Sequence, residues 1–147
     1  MYVREIRVSY GMGVEIPALE TMPVIEKAHQ VAALMAPLLE PETVEVSYLL
    51  CLSTKMKLLG YHEISRGSLN HTLMHPREVY KAAILVNAAA IVLVHNHPSG
   101  DPSPSVDDLA ITGRLQNAGE VIGIELLDHV IVGRDGRFVS FKEQGRL

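Results

Sequence analysis

Apolar residues along this chain recur with two different periods, and the changes of period mark its elements. Residues 2–10 place Tyr2, Ile6, Val8 and Tyr10 loosely on one side and predict a strand, which Gly11-Met12-Gly13 ends; residues 14–21 read as a connector. From Pro23 onward, Val24, Ile25, Ala28, Val31, Ala32 and Met35 follow helical spacing. Pro23 suits a first helical turn, and Pro37 is expected to end the helix or kink it. His29 lies beside this stripe, at the surface or its boundary. Residues 44–52 and 57–65 read as two strands joined by the turn Ser53-Thr54-Lys55-Met56, that is, a hairpin. After a loop over 67–75, residues 76–89 predict a helix that opens on Pro76 and turns Val79, Ala82, Ala83, Leu85 and Val86 to one face. Residues 90–95 form a short apolar run that reads as a buried strand. A helix over about 105–118 follows, with Gly119 as its stop. Residues 122–132 are a strand region, Arg134-Asp135-Gly136-Arg137 a hairpin turn, and Phe138-Val139-Ser140-Phe141 the closing strand. The order β-α-β-β-α-β-α-β-β fits an α/β or α+β fold with a mixed sheet.

Composition narrows the setting. A chain of 147 residues, 48% apolar and 20% charged, is long enough for one globular unit with a real core. No apolar run reaches the roughly 18 residues of an ordinary membrane span, and the N-terminus lacks a signal-peptide pattern. Cys51 is the only cysteine, so neither an intrachain disulfide nor a thiolate metal cluster is available. A cytoplasmic protein is the expectation. The net charge of −4 and the scattered basic residues, with Lys55 and Lys57 the closest cluster, argue against a broad nucleic-acid surface.

The polar run His95-Asn96-His97-Pro98-Ser99-Gly100-Asp101-Pro102-Ser103-Pro104-Ser105-Val106-Asp107-Asp108 interrupts this apolar half at the end of a core strand, where ligands commonly bind in α/β sheets. Side chains at i and i+2 of an extended chain share a side, so His95 and His97 can converge. The Pro- and Gly-rich loop can turn tightly and return Asp108 beside them. Two neutral imidazoles and a carboxylate make a three-ligand zinc set with a fourth position for water. The alternative is a polar loop in ordinary hydrogen bonds, with Ser105 and Asp108 as a helix cap of the S-x-x-D kind. The two are compatible, because a capped first turn holds Asp108 still.

The spacing H-x-H-x7-S-x-x-D resembles the zinc motif of the JAMM (MPN-plus) metalloproteases. With it, Glu63-Ile64-Ser65-Arg66-Gly67-Ser68, His75-Pro76-Arg77-Glu78-Val79, His95–Asp101 and Leu127-Asp128-His129-Val130-Ile131-Val132-Gly133 resemble the RadC-like branch, from about residue 44 to the end. The resemblance implies a cytidine-deaminase-like mixed sheet flanked by helices, with residues 44–147 as the JAMM/MPN domain and residues 1–43 as a strand and helix packed on it in one globular unit. It implies one Zn²⁺ per chain held by His95, His97 and Asp108, with Ser105 supporting a tetrahedral intermediate. JAMM enzymes take a glutamate base from an early strand. Glu45 is the expected base, because Leu49-Leu50-Cys51-Leu52-Ser53-Thr54-Lys55 aligns with the family's "LLLDTKN" wording; Glu63 is the alternative. The implied reaction is attack of a metal-activated water on an amide carbonyl, so the partner is a peptide or isopeptide substrate.

Other polar residues receive blander readings. Asp107 suits a helix N-terminus. Asp128 and His129 are expected to be structural, with a hydrogen bond to a metal-bound histidine as the alternative. His62, His71 and His75 have no metal spacing among themselves, and His75-Pro76 opens a helix. Asn96 and Ser99 fix the loop, while Arg66 pairs with a carboxylate or faces substrate. Longer RadC proteins carry a DNA-associated helix-hairpin-helix segment; only about 43 residues precede the core here, without that pattern. A DNA-repair or mobile-element accessory that binds rather than cleaves is the second functional reading, and salt-dependent DNA affinity would mark it. A degenerate scaffold is the third, and the intact ligand set weighs against it. Oligomeric state is left open.

Overall fold

The computed structural model describes residues 9–11, 22–67 and 74–147. The elements are α1 (Ala28–Leu39), β1 (Val46–Leu52), β2 (Leu58–Arg66), α2 (Pro76–Leu85), β3 (Ala90–Asn96), α3 (Val106–Ile122), β4 (Glu125–Val132) and β5 (Phe138–Ser140). They build a five-stranded sheet in the order β2-β1-β3-β4-β5. The β3–β4 pair is parallel, joined by the crossover helix α3, and every other neighbouring pair is antiparallel. This is the mixed sheet with flanking helices that the sequence implied. None of the described helices is long and apolar enough to cross a membrane.

β1 and β3 are buried along their whole length, which explains why both read as largely apolar runs. Alternate residues serve two cores. Leu50, Leu52, Val92 and Val94 pack with Val31, Met35 and Leu39 of α1 on one face. Leu49, Ile91 and Leu93 pack with Val79, Tyr80, Ile111 and Leu115 of α2 and α3 on the other. Full burial of such a side chain contributes about 1.5–3 kcal/mol, so the two central strands anchor both layers.

Several boundaries depart from the sequence reading. The helix expected from Pro23 starts at Ala28, because Pro23–Ile25 run extended beside the hairpin. Leu58 N–H donates to the Pro23 carbonyl at 2.8 Å, and Ile25 N–H to that of Met56 at 2.9 Å. Gln30 Oε1 then accepts from Lys27 N–H at 2.9 Å and helps start α1. Pro37 does not end α1, which continues past it to Leu39; a proline inside a helix forfeits a single hydrogen bond. α2 stops at Leu85, short of residue 89, as Asn87 takes a left-handed conformation with φ 52°. The strand expected over residues 2–10 lies almost wholly outside the described residues, as do the connector 14–21 and His71.

Gly119 does not stop α3. The helix runs to Ile122, and Gly123 forms its left-handed cap at φ 83°. Gly119 is buried for another reason: a Cβ there would collide with the Tyr80 hydroxyl and with the Ile124 carbonyl at 2.5 Å. Tyr80 Oη donates to the Leu115 carbonyl at 2.8 Å, so the absent side chain lets α2 lie directly on α3. Gly119→Ala should therefore destabilise the fold by about 1–3 kcal/mol. Gly113→Ala, facing open space on the same helix, should add about 0.5–1 kcal/mol. Denaturant midpoints of the two variants check this, and equal midpoints would contradict it.

Candidate metal centre

β3 delivers His95 and His97 to the end of the sheet. Cross-strand pairing sets His95 opposite Ser47 of β1 and Ile131 of β4. His95 shares the face of Ile91 and Leu93, which is the side covered by α3. The chain then turns through Pro98–Pro104 and enters α3, where Ser105 is the N-cap. Ser105 Oγ accepts from Asp108 N–H at 3.1 Å, and Asp108 Oδ2 accepts from Ser105 N–H at 2.8 Å. This reciprocal cap fixes the Asp108 carboxylate in the first turn. Both readings of the S-x-x-D stretch thus coincide in one geometry.

The three side chains meet in a small space. His95 Nε2 lies 3.2 Å from Asp108 Oδ1, His97 Nε2 3.3 Å from Asp108 Oδ2, and the two Nε2 atoms 3.0 Å from each other. One ligand atom from each falls within 4.8 Å of the others, so the group can hold a metal ion. His95 is 0% exposed, Asp108 1%, and His97 12%, which makes the site a deep notch open on the His97 side. Glu45 lies at that opening, with Oε1 3.9 Å from His97 Nε2. Ser47, opposite His95 on the same face, is fully buried, and its hydroxyl has no hydrogen-bond partner among the described residues.

The proton bookkeeping also fits a cation. His97 Nδ1 lies 2.8 Å from the Asp101 carbonyl oxygen, which can only accept, so Nδ1 carries hydrogen and Nε2 faces Asp108. The Asp108 hydrogen bond is the main cause that raises the His97 pKa against the opposing effect of burial. Burial works against ionisation of Asp108, but hydrogen bonds to His95 and His97 outweigh it and hold the carboxyl far below its usual range. Two imidazole nitrogens and a carboxylate at these distances need a hydrogen or a metal ion among them, since otherwise only lone pairs face one another.

Surrounding residues hold this geometry. Asn96 Oδ1 accepts from Val46 N–H at 2.7 Å and its Nδ2 donates to the Val44 carbonyl at 3.0 Å, so it clamps the backbone on both sides of Glu45. The loop after His97 leans on the β4–β5 turn. Arg134 donates to the Pro98 carbonyl at 3.2 Å and Arg137 to that of Gly100 at 2.8 Å. A Cβ on Gly133 would strike the Gly100 carbonyl, so only glycine permits this approach. Ser99 Oγ accepts from Asp101 N–H at 3.3 Å within the same loop. The clamping roles of Arg134 and Arg137 left no mark in the sequence, since each depends on a contact distant along the chain.

Behind the notch runs a buried chain of hydrogen bonds. His95 Nδ1 contacts His129 Nε2 at 2.8 Å, His129 Nδ1 contacts Thr112 Oγ1 at 2.6 Å, and Thr112 donates to the Asp108 carbonyl at 2.7 Å. Burial, then the neighbouring His95, pushes the His129 pKa well below the ordinary histidine value. His129 thus makes the contact that was the alternative reading for it. Asp128 instead accepts from Ser140 Oγ at 2.5 Å, His129 N–H at 2.7 Å and Lys142 N–H at 3.0 Å, and so ties β4 to the C-terminal turn.

Glu63 is placed differently. It pairs across β2 with Tyr48, whose side chain belongs to the α1 core, on the face away from His95. Arg66 grips its Oε1 at 2.5 Å and Glu42 Oε2 at 2.6 Å, which settles Arg66 as a carboxylate partner. His75 caps α2 by accepting from Arg77 N–H at 3.1 Å, as the sequence implied, and His29 is exposed.

Comparison with known proteins adds the context. A family model described as "RadC-like JAB domain" matches residues 25–146. A "UPF0758 protein" of Desulfitobacterium hafniense is 49% identical over 125 residues, covering 85% of this chain and 55% of that protein. Its namesake in Methanosarcina acetivorans is 48% identical over 115 residues, or 78% of this chain and 50% of that one. In Thermotoga maritima, a further "UPF0758 protein" is 50% identical over 109 residues, or 74% and 47%. The chain spans about half the length of these relatives, and their names state no activity.

A metal entering this group would have to displace the proton that the raised His97 pKa retains. The sign is fixed: below the ordinary histidine value of about 6.5 the proton competes fully, and competition fades only as pH passes the raised His97 value. Divalent-metal affinity should therefore climb with pH from about 5.5 and keep climbing beyond 6.5 before it levels. Calorimetric titration across this range checks it, and a flat profile would contradict it.

Proposed function

The chain belongs to the RadC-like JAB domain family, and on that footing we propose that it is a zinc-dependent metallohydrolase that cleaves peptide or isopeptide bonds. The observation that carries this reading is the convergence of His95 Nε2, His97 Nε2 and the Asp108 carboxylate in a notch with Glu45 at its opening. Two imidazoles and one carboxylate suit zinc and leave a coordination position for substrate chemistry. When bound there, zinc supplies Lewis acidity, which activates water near neutral pH and polarises a carbonyl.

The protein's own residues have distinct tasks in this reading. His95, His97 and Asp108 hold the ion, and the cap made by Ser105 keeps the Asp108 carboxylate aimed. Glu45 is the general base: it takes a proton from the attacking water and returns one to the leaving amine. Asn96 steadies it by holding Val44 and Val46 on either side. Ser105 sits beside Asp108 and assists the developing oxyanion with its hydroxyl hydrogen, which the bond accepted from Asp108 N–H leaves available. The pairing of Glu63 with Arg66, on the opposite face of the hairpin, supports Glu45 over Glu63.

The first test is metal content of untagged protein purified without chelator. About one zinc per chain is expected, and Asp108→Ala should remove it. No uptake by the unaltered chain, even with zinc offered, would overturn the proposal. On a substrate found by screening peptide and isopeptide libraries, Glu45→Gln should keep the metal and lower turnover by about 10²–10⁴-fold. Glu63→Gln should leave both unchanged. Full turnover by Glu45→Gln would refute the assignment of the base.

A further inference from the structure

We infer that His129 and Thr112 form a relay that sets the tautomer of His95, so that Nε2 rather than Nδ1 is presented to a metal. This rests on the proposed metal site and assigns its positioning residues. Hydrogen placement follows link by link from partners with a single role. The Asp108 carbonyl oxygen can only accept, so the lone hydroxyl hydrogen of Thr112 goes to it at 2.7 Å. Thr112 Oγ1 is then left as an acceptor toward His129 Nδ1, 2.6 Å away, which must carry a hydrogen.

The next link is set by burial. His129 is 1% exposed and its ring stacks on Phe141, with centroids 4.6 Å apart. A second hydrogen on that ring would put a charge in the core with no carboxylate in contact among the described residues. His129 Nε2 is therefore an acceptor, and His95 Nδ1, at 2.8 Å, supplies the hydrogen. That leaves His95 Nε2 with its lone pair toward His97 and Asp108. The relay begins at the backbone of one candidate ligand, Asp108, and ends at the ring of another, His95. Two ligands from different elements are thereby locked to each other through α3 and β4. His97 achieves the same tautomer more simply, through the Asp101 carbonyl.

Such outer partners typically change metal affinity by about 10–100-fold. Two readouts test the relay on the full chain: imidazole ¹⁵N shifts of the metal-free protein, and zinc affinity by competition with a chromophoric chelator. The unaltered protein should carry the His95 hydrogen on Nδ1. Thr112→Val, which keeps the shape but removes the acceptor for His129, should move His95 toward the Nε2–H form and weaken zinc about 10–100-fold. Thr112→Ser should restore both. If Thr112→Val does not fold, as judged by its near-ultraviolet dichroism, His129→Leu removes the acceptor of His95 directly and should give the same two changes. A folded variant of either kind that keeps the His95 tautomer and wild-type zinc affinity would overturn the inference. Failure of the metal proposal is separable, since zinc would then not bind the unaltered chain while the metal-free tautomer could still be read.

Discussion

Two imidazole nitrogens and a carboxylate within hydrogen-bond reach of one another, almost wholly out of water, are stable only with a hydrogen or a metal ion shared among them. Much of the surrounding structure can be understood as the means of holding that arrangement. The donors come from the end of β3 and the first turn of α3, so the loop between must be short, turned and fixed. The reciprocal Ser105–Asp108 cap fixes one side. The carbonyls of Asp101, Pro98 and Gly100, held against His97, Arg134 and Arg137, fix the other. A metal ion held there would satisfy the same three groups, so its binding would add to the stability of the fold.

The sheet makes this possible by being rigid where the site is built. β1 and β3 are clamped between two apolar layers, and their ends coincide at Asn96, Val44 and Val46. Glu45, which directly precedes β1, owes its position to that clamp and to Gly67 N–H, which donates to its carbonyl at 2.8 Å. The gradient from fully buried His95 to partly exposed Glu45 leaves the group closed behind His95 and open on the side of His97 and Glu45.

Much of the candidate site was legible in the sequence because its parts are local. H-x-H places two rings on one side of a strand by the period of extended chain alone. S-x-x-D closes a cap by the pitch of one helical turn. The buried strands announced themselves as apolar runs, and the hairpin by its turn. The errors lay where a tertiary contact overrode a local signal. Pro23 and Gly119 carry helix-start and helix-stop signals, yet one segment pairs with a hairpin and the other glycine serves the contact of Tyr80 with α3.

His129 marks the limit of what the chain discloses by itself. Strict alternation from Leu126 through Val130 would put Asp128, not His129, on the α2–α3 face. Between Ile91 and Val92 of β3, however, the β4 register skips from Leu126 to Asp128. Leu126 therefore packs with α2 and α3, while Val130 and Val132 pack with α1. One extra residue reverses the side to which every later side chain points, and it is this that turns His129 toward His95. The sequence alone determined the candidate ligand types, their spacing and the mixed sheet with flanking helices that bears them, because those depend on residue chemistry and on the fixed periods of helix and strand. Only the tertiary structure decided which glutamate stands at the opening and which histidine backs the first ligand, because register and face are set by neighbours that lie far apart in the chain.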